Sequence, residues 1–183
     1  QKQHLELCRD IAQKFNNDFK SENFFNVPEP LIQKQFSRIM SLKDGQKKMS
    51  KSDLSEQSRI NLTDDKDQIN NKIKKAKTDP LPMPSNLKEL DKRSEAKNLI
   101  GIYSSLLGKT LEESVKEFAE KNFSEFKENL SSVLVEKIYP ISTEIKKLLK
   151  DKDYLDKILL EGNKKSSEIA SKKVSEMHKI MGF

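Results

Sequence analysis

Apolar residues recur at helical spacing along most of the chain, which predicts a mainly helical protein. Residues 3–19 carry them at every third or fourth position, as an amphipathic helix does. Pro28 and Pro30 exclude helix and predict an extended connector. The run from Phe36 to Leu42 predicts one short strand, and the sequence shows no second convincing strand. Because a lone strand cannot form a sheet, we expect its partner strands to precede the first residue of this sequence.

Cap and turn signals divide the middle of the chain into further helices. Thr63, followed by two aspartates, predicts an N-cap for a helix that runs to about Lys77. Residues 80–85 contain three prolines and predict a surface linker. Gly108 predicts the end of the next helix, and Thr110–Glu113 has the Thr-x-x-Glu pattern of a capping box that begins another.

The last third of the chain predicts long helices. Apolar positions between residues 126 and 148 form one stripe, which we expect to bend near Pro140. A shorter apolar group leads to Gly162, and the final helix carries a stripe at Ala170, Val174, Met177 and Met181. We expect the aromatic and methionine positions of these stripes to be core residues rather than parts of a ligand site.

Composition narrows the class of protein. Hydrophobic residues make up 34% and charged residues 35% of the 183 positions, which suits a soluble helical protein. No apolar run reaches the ~20 residues that span a bilayer, and no secretory leader is visible. The single cysteine, Cys8, excludes an internal disulfide and fits a reducing, cytoplasmic compartment. We expect Cys8 to pack as a small hydrophobe, since Cys8 and His4 are too few ligands for a metal site.

The net charge of +6 favours a polyanionic partner. The densest basic stretch, residues 72–77, contains four lysines. Each lysine alone is explained by a solvated helix face. As a set, they could contact the phosphates of a nucleic acid, which position it without reading its sequence.

One short segment carries candidate chemistry: residues 48–52 read Lys-Met-Ser-Lys-Ser and follow the predicted strand. Attack on a phosphoryl group builds negative charge on its oxygens and on departing pyrophosphate, so catalysis depends on positioning and on positive charge there. Lys48 and Lys51 would supply that charge, and the serine hydroxyls and loop amides would add donors. Gly45 would let the backbone swing, so that the loop closes over bound nucleotide. In so lysine-rich a chain, a solvated loop is the alternative interpretation.

Five segments, in order, carry a likeness to a known family: residues 1–12, 38–42, 47–53, 69–79 and 98–103. They resemble the helix after a Gly-x-Asp-Gln signature, the adenine-side strand, the signature loop and two helical segments of bacterial tryptophanyl-tRNA synthetases. Residues 177–183 resemble the last helix of that family. Tyrosyl-tRNA synthetases share a version of the loop, but the second half of the chain follows the tryptophanyl pattern.

The resemblance implies a mostly α fold in two domains. Residues 1–55 would be the C-terminal remnant of a Rossmann-type α/β catalytic domain, and residues 56–183 an all-helical tRNA-binding domain. The implied activity is that of a class I synthetase, which activates L-tryptophan with ATP to tryptophanyl-adenylate and transfers it to tRNA(Trp). Magnesium accompanies the ATP. The complete enzyme would be a cytoplasmic homodimer without membrane association.

The resemblance also implies roles for single residues. Lys48 and Lys51 would be catalytic, and Gln1 would lie near the bound amino acid. The ATP-binding set would comprise the adenine-side Ile39 and the signature loop: Lys48, Met49, Ser50, Lys51 and Ser52.

The nucleotide motif and tryptophan pocket that open the family's sequences have no counterpart in this chain. We therefore expect the chain to be the C-terminal half of a synthetase and inactive alone. A non-catalytic helical module that binds tRNA or another nucleic acid is the alternative, although it leaves residues 48–52 unexplained. Salt-dependent tRNA binding without ATP binding would favour that module. A helical protein–protein adaptor is a third hypothesis.

Overall fold

The computed structural model describes residues 2–31 and 38–183, and this part of the chain is mainly helical. Its helices are α1 (Lys2–Asp18), α2 (Lys66–Lys74), α3 (Leu87–Asp91), α4 (Ser94–Leu107), α5 (Leu111–Phe118), α6 (Phe123–Leu148) and α7 (Lys152–Met181). Strands β1 (Met40–Ser41) and β2 (Asp44–Lys48) pair antiparallel, and a 3-10 turn covers Glu56–Ser58. The mostly α fold class is confirmed.

The chain divides into two compact units. One contains α1 and α7, and the other contains everything from β1 to α6. The domain boundary at residue 55 stays a prediction. Among the helices of the described residues, none has an apolar stretch sufficient to cross a bilayer.

The unit from β1 to α6 has a well-packed apolar core. Helix α4 buries Leu99, Ile100 and Tyr103 on one face, and the Tyr103 ring meets Phe118 of α5 edge to face at 5.1 Å between centroids. Phe118 meets Phe126 of α6 in the same way at 4.9 Å. These contacts fix α4, α5 and α6 against each other, and such aromatic pairs add about 0.5–1.5 kcal/mol beyond area burial.

Local sequence signals explain most helix ends in this unit. Gly108 caps α4 in the left-handed conformation, and Thr110 with Glu113 forms the predicted capping box of α5. The N-cap predicted at Thr63 is wrong: Asp65 caps α2, with a capping box to Gln68. Asp64, expected in the first turn of that helix, is buried and paired elsewhere.

The structure corrects two further predictions, the surface linker at residues 80–85 and the end of α2. The segment 80–85 is not simply a surface linker, because Met83 is buried and its backbone exchanges hydrogen bonds with Lys121 and Glu120. Helix α2 ends at Lys74, before the expected Lys77. Helix α6 continues through Pro140, and a bend there stays a prediction.

Tyr103 gives a pH-dependent test of the core. Burial, and then the hydrogen bond that its hydroxyl donates to Glu117 at 2.9 Å, raise the pKa of Tyr103 from 10.0 to about 12. The pKa of Tyr103 is higher in the folded than in the unfolded protein. The contribution of the protonated hydroxyl to stability is therefore complete below pH 10 and is lost between pH 10 and 12. We expect the stability difference between wild type and Tyr103→Phe to fall by on the order of 2–3 kcal/mol across that window. Urea unfolding at several pH values measures it, and a constant difference would contradict the assignment.

The unit containing α1 and α7 is less buried. Four rings, Phe15, Phe19, Phe24 and Phe25, cluster between α1 and its connector. The ammonium of Lys173 on α7 lies 3.7 Å from the Phe24 ring centroid, a cation–π contact that ties α7 to this cluster.

Expectations of burial were wrong in this unit. Cys8 is exposed, although it was expected to pack as a small hydrophobe. Among the described residues, α7 has no buried side chain, and Val174 is 46% exposed. Helix α7 also runs unbroken through Gly162. An apolar stripe indicates that a helix face can be buried, but it does not indicate that a partner element is present to bury it.

Candidate functional site

A β-hairpin carries the candidate segment, residues 48–52. Met40 pairs with Lys48 and Ser41 with Asp44, with an irregular register between the two pairs. The prediction of a lone strand was wrong, because β2 pairs with β1 and includes Lys48. Its sequence, Asp-Gly-Gln-Lys-Lys, has no apolar alternation, so the hydrophobic pattern could not reveal it. The start of the predicted strand, from Phe36, lies outside the described residues.

Asn98 of α4 holds strand β1 in place. Its side-chain Nδ2 donates to the carbonyl oxygen of Met40 at 2.9 Å, and its Oδ1 accepts from the Met40 N–H at 2.9 Å. One carboxamide thus satisfies both backbone groups of a strand residue, as a neighbouring strand would. The sequence signals this contact only by a polar residue among the apolar positions of α4, and the contact was not predicted.

The turn of the hairpin is anchored by Leu42. Its side chain is buried. Its N–H donates to the Ser58 carbonyl oxygen at 2.9 Å, and its carbonyl oxygen accepts from the Lys77 N–H at 2.7 Å. The hairpin is therefore bound to the 3-10 turn on one side and to the end of α2 on the other.

Gly45 has a different role from the one expected. A Cβ there would lie 2.7 Å from the backbone nitrogen of Glu95 and 2.7 Å from the carbonyl carbon of Ser94. Glycine is needed because β2 approaches the start of α4 too closely for a side chain. The expected hinge at Gly45 is wrong, since this buried position is fixed against backbone.

Gly45→Ala is therefore expected to lower the stability of the unit containing the hairpin by about 1–3 kcal/mol, the usual cost of overpacking. Gly162→Ala is the matched control: it lies within α7, and no other element of the described residues comes within 4 Å of the added Cβ, so the change should stabilise that helix by about 1 kcal/mol. Amide hydrogen exchange reports each unit separately. Unchanged protection of β2 and α4 in Gly45→Ala would contradict the steric argument.

Residues 50–52 form a short turn after the hairpin. The hydroxyls of Ser50 and Ser52 lie 3.1 Å apart, and the Ser52 N–H donates to the Ser50 hydroxyl at 3.3 Å. The Asp53 N–H donates to the Ser50 carbonyl at 3.3 Å. Lys48, Ser50, Lys51 and Ser52 are all exposed, so their polar atoms face solvent.

Met49 and Ile39 join this turn to the body of the unit. The Met49 side chain is half-buried against the core, and its N–H donates to the Ile39 carbonyl at 3.0 Å. Ile39 itself is 42% exposed. The structure thus brings Ile39 beside residues 48–52, whereas Gln1 lies outside the described residues.

The lysines of the turn carry unneutralised charge. In the part of the chain that the structure describes, neither Lys48 nor Lys51 has a carboxylate oxygen within 4.0 Å. Two ammonium groups and two hydroxyls therefore share one exposed turn, an arrangement that favours binding of an anionic group such as a phosphate.

The basic stretch 72–77 is not the uniform cationic surface that the sequence suggested. Lys72 is buried, and its Nζ lies 2.6 Å from Asp64 Oδ2. Lys77 Nζ lies 3.0 Å from Glu95 Oε1, and the hydrogen bond that it donates to this carboxylate raises the pKa of Lys77. Only Lys74 and Lys75 of the four are exposed and lack a carboxylate within 4.0 Å among the described residues.

Comparison with known proteins adds independent information. Residues 1–139 match the family of class I tRNA synthetases for W and Y. A tryptophan–tRNA ligase of Caulobacter vibrioides is 51% identical over the whole chain, and one of Rickettsia felis is 49% identical. The chain spans 53% and 54% of these two relatives, about half of their length.

Solved structures agree with these sequence matches. The tryptophanyl-tRNA synthetase of Mycoplasma pneumoniae matches the whole chain with a TM-score of 0.80 at 26% identity, over 54% of its own length. That of Campylobacter jejuni, complexed with ADP and tryptophan, matches 99% of the chain and 54% of its own length. Its TM-score is 0.67 at 23% identity, which shows a common fold. The chain carrying this hairpin and its Lys-Met-Ser-Lys-Ser turn belongs to the class I tRNA synthetases of the W and Y family.

Proposed function

We propose that this chain is the C-terminal half of a tryptophan–tRNA ligase, which joins tryptophan to tRNA(Trp) with ATP. The observation that carries the proposal is the exposed turn 48–52, whose two lysines have no neighbouring carboxylate among the described residues. Family membership supports a role for that turn in handling ATP, and the names of the relatives favour tryptophan over tyrosine.

In the proposed reaction, the tryptophan carboxylate attacks the α-phosphorus of ATP. The bond between the α- and β-phosphates breaks, and pyrophosphate leaves with the electron pair. Negative charge grows on the departing oxygens, where Lys48 and Lys51 would stabilise it. Ser50 and Ser52 would donate hydrogen bonds to the phosphates, and Ile39 with Met49 would form the adenine side. A hydroxyl group of the tRNA then attacks the carbonyl carbon of the adenylate, which forms an ester, and AMP leaves with the electron pair.

Magnesium would arrive as the companion ion of the nucleotide. Within residues 2–31 and 38–183, no group of three or more His, Cys, Asp or Glu side chains could hold a metal ion. No step of the proposal is assigned to a metal ligand of this chain.

The proposed domain division remains at residue 55, with the anticodon side of tRNA bound by the helical part. A homodimer and a cytoplasmic location are further parts of the proposal. The alternative of a purely nucleic-acid-binding module loses support, because Lys72 and Lys77 are engaged with carboxylates. It predicts tRNA binding that weakens steeply with salt and occurs without ATP binding.

A chimaera tests the enzyme directly. In it, this chain replaces the matching part of the Caulobacter vibrioides relative, which is 51% identical over all 183 residues. We expect tryptophan-dependent exchange of pyrophosphate into ATP, which requires this chain to supply a working 48–52 turn. The parent relative is the positive control.

A folded chimaera without exchange activity would contradict the proposal. Retained binding of tRNA by an inactive chimaera would favour the nucleic-acid-binding module.

A further inference from the structure

Arg59 binds the backbone that leaves the 48–52 turn. Its Nη1 donates to the carbonyl of Asp53 at 2.9 Å and to that of Ser55 at 3.5 Å. Its Nη2 pairs with the carboxylate of Glu56, and its Nε donates to Asn61 Oδ1 at 3.1 Å. The Arg59 side chain is 12% exposed, and its guanidinium donates all of these hydrogen bonds to one loop, residues 53–61.

A buried ion pair supports Arg59 from behind. Asp64 Oδ2 accepts from Lys72 Nζ at 2.6 Å and from the Asn61 N–H at 2.8 Å, and both charged side chains are 5% exposed. Asn61 Nδ2 in turn donates to Glu56 Oε2 at 2.8 Å. The chain of contacts thus runs from helix α2 through Asp64, Asn61 and Glu56 to Arg59.

The other end of the turn is held by a different element. Lys48 belongs to β2, and the Met49 N–H is bound to the Ile39 carbonyl. Residues 50–52 therefore lie between two anchors, the hairpin before them and the Arg59 network after them. In catalysis by charge stabilisation, small misplacements of a charged group reduce the rate strongly.

We propose that Arg59 is a positioning residue for the 48–52 turn, with the buried Lys72–Asp64 pair as its support. This inference rests on the proposed function for its effect on catalysis, but not for its effect on the structure of the turn. Among the described residues, Arg59 contacts the backbone and side chains of the loop that follows the turn, and it sets the position of Lys51 and the serine hydroxyls.

Arg59→Gln in the 183-residue chain tests the structural part. Hydrogen bonds to charged groups contribute about 1.5–3 kcal/mol, so we expect amide exchange at residues 52–56 to rise at least about tenfold. Exchange in α4 and α6 should be unchanged. The matched control is Arg93→Gln: Arg93 also binds loop carbonyls, those of Pro82 and Leu81, together with the carboxylate of Asp79. That variant should loosen residues 79–83 and leave 52–56 protected.

The chimaera tests the catalytic part, with rates expressed per active site titrated from the burst of adenylate. We expect Arg59→Gln to lower the rate constant of activation about tenfold and to leave the KM for tryptophan unchanged. Arg59→Lys keeps the charge but has fewer hydrogen-bond donors, so its rate constant of activation should lie between those of Arg59→Gln and the wild type.

Unchanged exchange at residues 52–56 in Arg59→Gln would overturn the inference. Increased exchange with an unchanged activation rate would overturn it as well, because the anchor would then have no role in catalysis. An inactive wild-type chimaera is a failure of the proposed function instead, and the exchange experiment on the chain alone still decides whether Arg59 positions the turn.

Discussion

Replacing Lys48 or Lys51 with alanine in the chimaera is expected to slow tryptophan activation by roughly 100-fold or more, the scale of losing one preorganised donor to developing charge. The apparent affinity for ATP should change far less. Both lysines are exposed and have no carboxylate within 4.0 Å among the described residues, so in the proposed reaction their charge would be available to the leaving pyrophosphate. The charge is needed most when the phosphate bond is breaking, and less when ATP merely binds.

The rate constant and KM for ATP, measured by pyrophosphate exchange, separate these two effects. Lys88→Ala is the matched control, since Lys88 is an exposed lysine of α3 outside the turn. It should leave both constants unchanged. Equal losses in rate constant and apparent affinity for Lys48→Ala and Lys51→Ala would show that the lysines only bind ATP.

The largest loss of stability is expected from Lys72→Met. The substitution leaves the buried carboxylate of Asp64 without its cation, and breaking a buried pair in this way costs about 3–5 kcal/mol. Methionine fills a similar volume, so a cavity contributes little. Urea denaturation measures the loss as a change in the free energy of unfolding. Hydrogen exchange in α2 measures it locally.

Two controls make this result specific. Adding Asp64→Asn to Lys72→Met removes the unpaired charge but keeps an acceptor for the Asn61 N–H, and should recover most of the stability. Lys116→Met breaks the exposed pair with Glu112 on α5, and should change stability little because solvent screens that pair. A single variant Lys72→Met as stable as wild type would contradict the role of the buried pair.

Local signals were enough to predict several elements from the sequence. The capping box at Thr110 and the left-handed cap at Gly108 depend on residues within one turn of helix. The turn 48–52 was also found in the sequence, because its residues are contiguous. The family match confirms the interpretation of the chain as part of a class I synthetase.

The remaining features depend on contacts between distant residues. Gly45 meets the backbone of Ser94 and Glu95, about 50 residues away, so its sequence neighbours indicated only flexibility. The sequence suggests that Lys72 belongs to a basic surface, and only the folded structure shows that it pairs with Asp64. Strand β2 consists of polar residues and owes its existence to pairing with β1, which no periodicity reveals.

Charging of tRNA by the chimaera tests the central claim most directly, because it requires activation and transfer together. We expect radiolabelled tryptophan to become attached to tRNA(Trp) in an ATP-dependent reaction, and we expect the combined Lys48→Ala and Lys51→Ala variant to abolish this attachment. A folded chimaera that binds tRNA but charges none with tryptophan would show that this chain does not serve as half of a tryptophan–tRNA ligase.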